Sequence, residues 1–445
     1  MSDVSAPRVA VVGGGLAGLV CAAELRDRGV DADVFEATGR AGGVVHTIAE
    51  GGYQIEWGPQ SFLWEAGSSL DRWIQRLRLG VLPPADAARA RYVLKDGRLL
   101  NLPRELPKLL GPLGLLRASR EALGRARVDP TQSVDAFFRA RLGPRVADRL
   151  LDAFVTGIWA GDPARLELGS AFPRLTAKVE SSRSVLRAFF GGGGARRRTA
   201  SFVGGMEDLP EALAEHLGPA VKLEHRVQSL LPPGSDDRWV LRTADGEAHV
   251  ARAVVLATSA HVAGTLLAPH DPALGELLAA QPTAPLATVT LGYRSGAFPE
   301  GPPEGFGFLA PEQEQSFVLG CLFPSSLFPL TAPSGCVQLR CMVGGRRHPE
   351  RVEKGDAELV AGCHTALEPL LGITRAPVTW RVDRHREGIP QYELGHATRL
   401  RAIDERLRGH PGLRLTGNSY RGISVPDVVA DAERVAIALA GSLTA

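Results

Sequence analysis

Arg8-Val9-Ala10-Val11-Val12-Gly13-Gly14-Gly15-Leu16-Ala17-Gly18 is a short apolar run that breaks directly into glycines at 13, 15 and 18. The apolar part reads as a buried parallel strand, and helix-compatible residues follow from Leu19 to about Arg28. Gly29 closes a turn, and Ala32-Asp33-Val34-Phe35 reads as a second strand ending at Glu36. Strand, G-x-G-x-x-G, helix, strand and acid form one dinucleotide-binding unit. The first glycine permits a tight turn and the second lets backbone approach a pyrophosphate. Gly18 lets helix and strand pack closely. The helix start offers unpaired N–H groups to phosphate, and Glu36 is placed to accept from a ribose.

Length and composition bound the rest. The 445 residues allow two or three domains, and 44% hydrophobic with 22% charged residues is ordinary for a globular enzyme. A net charge of +2 gives no reason to expect a nucleic-acid partner. Five cysteines include no C-x-x-C, which argues for a reducing, cytoplasmic compartment rather than a disulfide framework. No signal-type leader and no apolar run long enough to span a bilayer is present. There is no Ser/His/Asp order, no metal-ligand cluster and no Walker sequence.

The chain visits the nucleotide-binding fold three times. The second visit begins near Ser201-Phe202-Val203-Gly204-Gly205-Met206 and includes the apolar strand Ala253-Val254-Val255-Leu256. The third runs from about 383 to the end. Between them lie residues 91–199, rich in Arg, Leu and Ala at helical spacing, and residues 276–382, with alternating strands such as Ala287–Leu291 and Val337–Met342. The helical insertion closes with Gly191–Gly194 and Arg196–Arg198, a loop composition.

Other stretches narrow this reading. Arg40-Ala41-Gly42-Gly43 resembles the extension that continues around the FAD pyrophosphate in flavoproteins of the amine oxidase type, favouring FAD over NAD. Gly58-Pro59-Gln60-Ser61-Phe62 and Gly388-Ile389-Pro390-Gln391-Tyr392-Glu393-Leu394-Gly395-His396 follow in order. The run Leu415-Thr416-Gly417-Asn418-Ser419-Tyr420-Arg421-Gly422-Ile423-Ser424-Val425-Pro426-Asp427 then precedes a final helix. Together, with Thr156–Asp162 and Gly305–Pro311, they resemble the oxygen-dependent protoporphyrinogen oxidases over essentially the whole chain. The expected fold is therefore α/β and amine-oxidase-like. It has a discontinuous Rossmann-type FAD-binding domain (1–90, 200–275 and 383–445), an inserted helical domain (91–199) and a mixed-sheet substrate-binding domain (276–382).

The resemblance implies one non-covalent FAD per chain and oxidation of protoporphyrinogen IX to protoporphyrin IX in three two-electron steps, dioxygen being reduced to hydrogen peroxide. It places Gly13, Gly14, Gly15, Leu16, Ala17, Gly18, Glu36, Ala37, Arg40, Gly42, Gly43 and Val44 along the cofactor. Gly58, Pro59, Gln60 and Ser61 approach the flavin ring, and the backbone of Val227 meets the adenine. His385 stands where relatives carry an aromatic or apolar residue near the flavin, and Gln60 where some carry arginine. Ser424 caps the last helix, so Ile423, Ser424 and Val425 present its positive end to the flavin edge that becomes negative on reduction. The flavin carries the chemistry, and no side chain is assigned as acid or base. His396 is expected to make a structural hydrogen bond.

For the substrate, a flat apolar ring with two propionates, Arg91 matches the family's propionate partner and its fork suits a carboxylate. Gly157 matches a backbone carbonyl facing pyrrole N–H groups. Phe306, Leu309 and Met342 are candidates to sandwich the ring, or ordinary core. Coproporphyrinogen III, an amine substrate on the same fold, and a flavin-carrying module without turnover stay open as alternatives. Leu106–Arg120 mixes leucines with basic residues, the composition of a segment lying on a bilayer or of a helix packed on its own protein. Peripheral contact with the cytoplasmic membrane and a homodimer are both compatible with the sequence.

Overall fold

The computed structural model describes residues 9–102, 104–122, 127–190, 197–234 and 237–444. Arg8, the Gly191–Gly194 run and Arg196 lie outside them. Val9–Val12 is the central strand of a five-stranded parallel sheet, flanked by Ala32–Phe35 and Val221–Lys222 on one side and Ala253–Leu256 and Leu413–Leu415 on the other. All four residues of Val9–Val12 and of Ala253–Leu256 are buried, because helices or sheet cover both faces. Val9, Val11, Val34, Ala253 and Val255 pack under the helices Leu16–Asp27, Asp208–Leu217 and Val425–Thr444. Ala10, Val12, Phe35, Val254 and Leu256 face the meander Val227–Leu231, Trp239–Thr243 and Ala248–Ala251. The first helix begins at Leu16 rather than Leu19, so the glycines run into it without an intervening turn.

The second body is a seven-stranded sheet in the order 379–390, 283–294, 336–344, 320–322, 307–309, 91–95 and 98–102. Its alternation divides two faces. Ala287, Val289, Leu291, Leu339, Cys341 and Val343 pack on the helix Asp356–Leu371 through Leu359, Cys363 and Leu367. Thr288, Thr290, Arg340, Met342, Asp383 and His385 lie at the opposite register positions. Arg340, His385 and Gln338 of that face bond the segment Gln54–Gln60.

Two expected boundaries move. The hairpin Arg91–Leu102 belongs to this sheet and not to the helical insertion, since Tyr92 and Val93 pair in parallel with Phe308 and Leu309. The strand Thr379–Pro390 runs unbroken through 383, held along its length by Thr283–Arg294. The helices between Leu106 and Phe190 form a separate apolar cluster around Phe137, Phe138, Val155, Trp159 and Val179, which also takes in Tyr392.

Candidate active site

The glycine turn is as tight as its sequence demands. Gly13 has φ +105°, and a Cβ on Gly18 would lie 1.9 Å from the Gly13 carbonyl oxygen. The helix that follows starts at Leu16, its N-cap Gly15 offering no side chain and its first turn no acid, which leaves its end free for an anion. Gly15 pairs with Gly42, and Gly42 N–H donates to the Gly14 carbonyl at 2.8 Å, so the two glycine segments close on each other. Glu36 ends the second strand. One of its oxygens accepts from Gly14 N–H at 2.7 Å and the other from Thr38 N–H at 2.9 Å. Ala37 follows it, and the Val227 strand begins alongside: His225 N–H donates to the Glu36 carbonyl at 2.8 Å and Glu224 N–H to that of Thr38. The Val227 side chain is buried, which leaves its backbone for any contact.

Arg40 is turned inward. It donates to the carbonyls of Gly43 (2.6 Å), Ala41 (2.8 Å) and Val45 (3.3 Å), and to Glu207 at 3.1 Å. It therefore shapes the paired-glycine loop rather than offering a free guanidinium. Glu207 also holds the His46 ring at 2.7 Å and Thr47 N–H at 3.0 Å, a role no local signal in the sequence marks. Beyond this loop Val44 is 51% exposed, an apolar side chain standing open beside the cradle. The Val44 carbonyl oxygen lies 2.0 Å from where a Cβ on Gly58 would be, so only glycine fits there.

Pro59 and Ser61 flank Gln60, which is buried, and beneath this segment the sequence reading missed a buried arginine. Arg340 donates to the carbonyls of Gly58 (2.8 Å) and Trp57 (3.2 Å), and at 3.4 Å to Gln60 Oε1. Its signal was visible only as a charge at an inward strand position. His385 sits on the same face, its ring 4.4 Å from Trp57 and its Nε2 3.0 Å from the Trp57 carbonyl. Burial, then the Arg340 charge, lower the His385 pKa, which favours the neutral ring at neutral pH. Nearby Glu56 accepts from Met206 N–H and the Thr47 hydroxyl, and burial pushes its carboxyl up to about 7.

The C-terminal loop closes the cradle. The Ser424 oxygen accepts from Asp427 N–H at 3.3 Å, giving the cap expected for the last helix. Ile423 and Val425 flank it, packed into two different cores. The Gly-Ile-Pro-Gln-Tyr run acts as a buckle. Tyr392 donates to the Asn418 carbonyl (2.7 Å) and accepts from Gly422 N–H (2.8 Å), while Gln391 donates to the Trp159 carbonyl (2.8 Å). His396 stacks on Tyr392 at 4.0 Å with its Nε2 3.0 Å from the Tyr420 carbonyl, and burial lowers its pKa to about 4.

On the substrate side Arg91 lies 4.9 Å over the Phe306 ring and forms no ion pair among the described residues. Arg91 stands exposed at the start of its strand and remains a cation. A Cβ on Gly157 would meet Leu309 at 2.6 Å, so this glycine lets the helix Asp152–Trp159 close on the sheet. Leu309 and Met342 share one register row through Gly320. The five candidates thus fall into an Arg91–Phe306 pair and a Gly157–Leu309–Met342 group. Elsewhere, His225, Asp245 and Glu247 bring ligand atoms within 4.8 Å of one another at the surface, which the spacing in sequence did not announce.

A glycine cradle with an acid-terminated second strand, joined to a sheet-and-helix body across a buried polar seam, defines a dinucleotide-binding α/β oxidoreductase. Residues 16–440 match the model of the flavin containing amine oxidoreductases, and the chain belongs to that family. It is 32% identical to the chloroplastic protoporphyrinogen oxidase of Oryza sativa subsp. japonica, covering 98% of this chain and 88% of the relative. It is 28% identical to the coproporphyrinogen III oxidase of Bacillus subtilis (strain 168), covering 96% and 97% respectively. A solved structure from Exiguobacterium sp. 255-15, provisionally assigned as a protoporphyrinogen oxidase, superposes with TM-score 0.84 at 26% identity, covering 98% of this chain and 99% of that one.

Proposed function

We propose that the protein is an FAD-dependent porphyrinogen oxidase that converts protoporphyrinogen IX to protoporphyrin IX, with dioxygen as acceptor and hydrogen peroxide as product. The similarity over nearly the full chain to porphyrinogen oxidases carries this reading. One FAD per chain, held without a covalent bond, fits the donors present. The open helix end at Leu16–Gly18 suits the pyrophosphate and Glu36 a ribose. The capped helix at Ser424 would favour a ring edge that gains negative charge on reduction. When bound, the flavin supplies the two-electron acceptor.

The chain's own residues bind and orient. Arg91, stacked on Phe306 and without an acidic partner, is the propionate anchor. Leu309 and Met342 exclude water from an apolar slot beside Gly157. Coproporphyrinogen III is the second substrate to weigh, because a coproporphyrinogen III oxidase covers this chain as completely. Anaerobic mixing of the yellow protein with each porphyrinogen in parallel, read by flavin bleaching and porphyrin fluorescence, separates the two. Bleaching by neither overturns the proposal. No helix among the described residues is long and apolar enough to cross a membrane. Exposed Leu115 and Leu116 on the helix past Gly111 support peripheral contact with the cytoplasmic membrane. Homodimerisation belongs to the same proposal.

A further inference from the structure

Arg340 is 4% exposed, yet no carboxylate of the described residues lies within ion-pair distance of it. Its hydrogen-bond partners are all neutral: two backbone carbonyls of Trp57 and Gly58, and the Gln60 amide at long range. Its Nε, together with Thr288 Oγ1 and Thr290 Oγ1 on the same sheet face, has no partner at all. The two acids that could neutralise it are engaged elsewhere. Asp383 is taken by Arg381 at 2.9 and 3.0 Å, and Glu56 by Met206 N–H and the Thr47 hydroxyl. Burial lowers the guanidinium only to about 10, so it stays charged at neutral pH. A buried cation left without a counter-ion is costly unless something anionic comes near it.

We propose that Arg340 is a positioning residue that sets the Trp57–Gln60 segment against the flavin and whose uncompensated charge favours the reduced, anionic cofactor. This rests on the reading of the site as an FAD site. The segment it grips holds three of the residues assigned to the ring, and the same side chain ties the seven-stranded sheet to that segment. Negative charge on reduction would be the close partner that Glu56 and Asp383, which act on Arg340 only from beyond ion-pair distance, do not provide.

The test is the flavin midpoint potential of holoenzyme at pH 8, equilibrated anaerobically against a reference dye. Arg340→Met should raise the oxidised-to-reduced ratio on the order of tenfold, a fall of about 30 mV for a two-electron couple. Arg340→Lys should stay near wild type. Glu56→Gln removes the opposing negative charge while leaving every Arg340 hydrogen bond in place, and should shift the ratio the other way. That opposite sign is what a purely structural role does not produce. If Arg340→Met fails to retain FAD, Arg340→Gln, which keeps an amide donor for the Trp57 and Gly58 carbonyls without the charge, should show the same fall. Wild-type potentials in Glu56→Gln, or equal falls in Arg340→Lys and Arg340→Met, overturn the inference while leaving a yellow enzyme. A wild-type protein that takes up no FAD overturns the site reading as well.

Discussion

Arg91 shows how little a single residue reveals before its neighbours are known. The chain holds 51 lysines and arginines, and most are solvated. What distinguishes Arg91 is that it stacks on the Phe306 ring with neither an ion pair nor a side-chain hydrogen bond among the described residues, whereas Arg351 on Phe317 is spent on two carbonyls. Arg91→Ala should raise the apparent KM for porphyrinogen more than it lowers kcat, as expected for an anchor remote from the reacting carbon. Unchanged steady-state kinetics would remove it from that role. Glu56 makes a second prediction, on stability. Its folded pKa is raised from 4.5 to about 7, so the carboxyl is neutral in the folded chain where it is already ionised in the unfolded one. Stability is therefore fully present below about pH 4.5 and is lost as pH rises to about 7, by on the order of 3 kcal/mol. His396, lowered to about 4, works in the opposite sense: its contribution is lost as pH falls from 6.5. Glu56→Gln should remove the alkaline loss alone. Urea denaturation of apoprotein at pH 5 and pH 8, compared with wild type, reads the difference.

At the scale of elements, the signature Gly388–His396 is a joint. Its tyrosine hydroxyl satisfies Asn418 and Gly422, and its glutamine reaches Trp159, so three segments far apart in sequence meet there. Tyr392→Phe strands a carbonyl and an N–H that are otherwise paired, at a cost of about 1–3 kcal/mol. Because Gly422 leads into the capped helix at Ser424, the same variant should release FAD faster. Flavin fluorescence on dilution measures this, and an unchanged off-rate would confine the buckle to stability. The helix Leu106–Ala122 also departs from a plain amphipathic segment. Gly111 takes φ +66° and breaks it before Pro112, so the leucines fall on two differently oriented pieces.

At the scale of the whole molecule, the glycine turn, the Val227 strand and the Ser424 cap come from three separate stretches of the chain, and the seven-stranded sheet leans on the Gln54–Gln60 segment through Arg340, Gln338 and His385. Cofactor binding should therefore stabilise the molecule as a unit. With free FAD about a hundredfold above Kd the gain is about 2.7 kcal/mol. Calorimetry of apoprotein should show one transition moving upward with FAD concentration and unmoved by NAD. An equal response to NAD would undo the choice of dinucleotide.

The nucleotide unit was legible in the sequence because its constraints are local. Gly13 and Gly18 meet each other within one turn, and the unbroken burial of Val9–Val12 shows in four adjacent apolar residues. The Ser424 cap likewise needs only its own first turn. Arg340, Glu207 and Glu56 were not legible, because their partners lie far away in the chain and an inward charge in a strand looks no different from an outward one. The limits of the substrate body escaped for the same reason: Arg91–Leu102 and Thr379–Pro390 join it through ladder hydrogen bonds to distant strands. Sequence alone determined the dinucleotide fingerprint and its two chain-end elements, since steric and capping demands act over a few residues. Only the tertiary structure decided which buried charges stay unpaired, because desolvation and pairing depend on what the fold brings alongside.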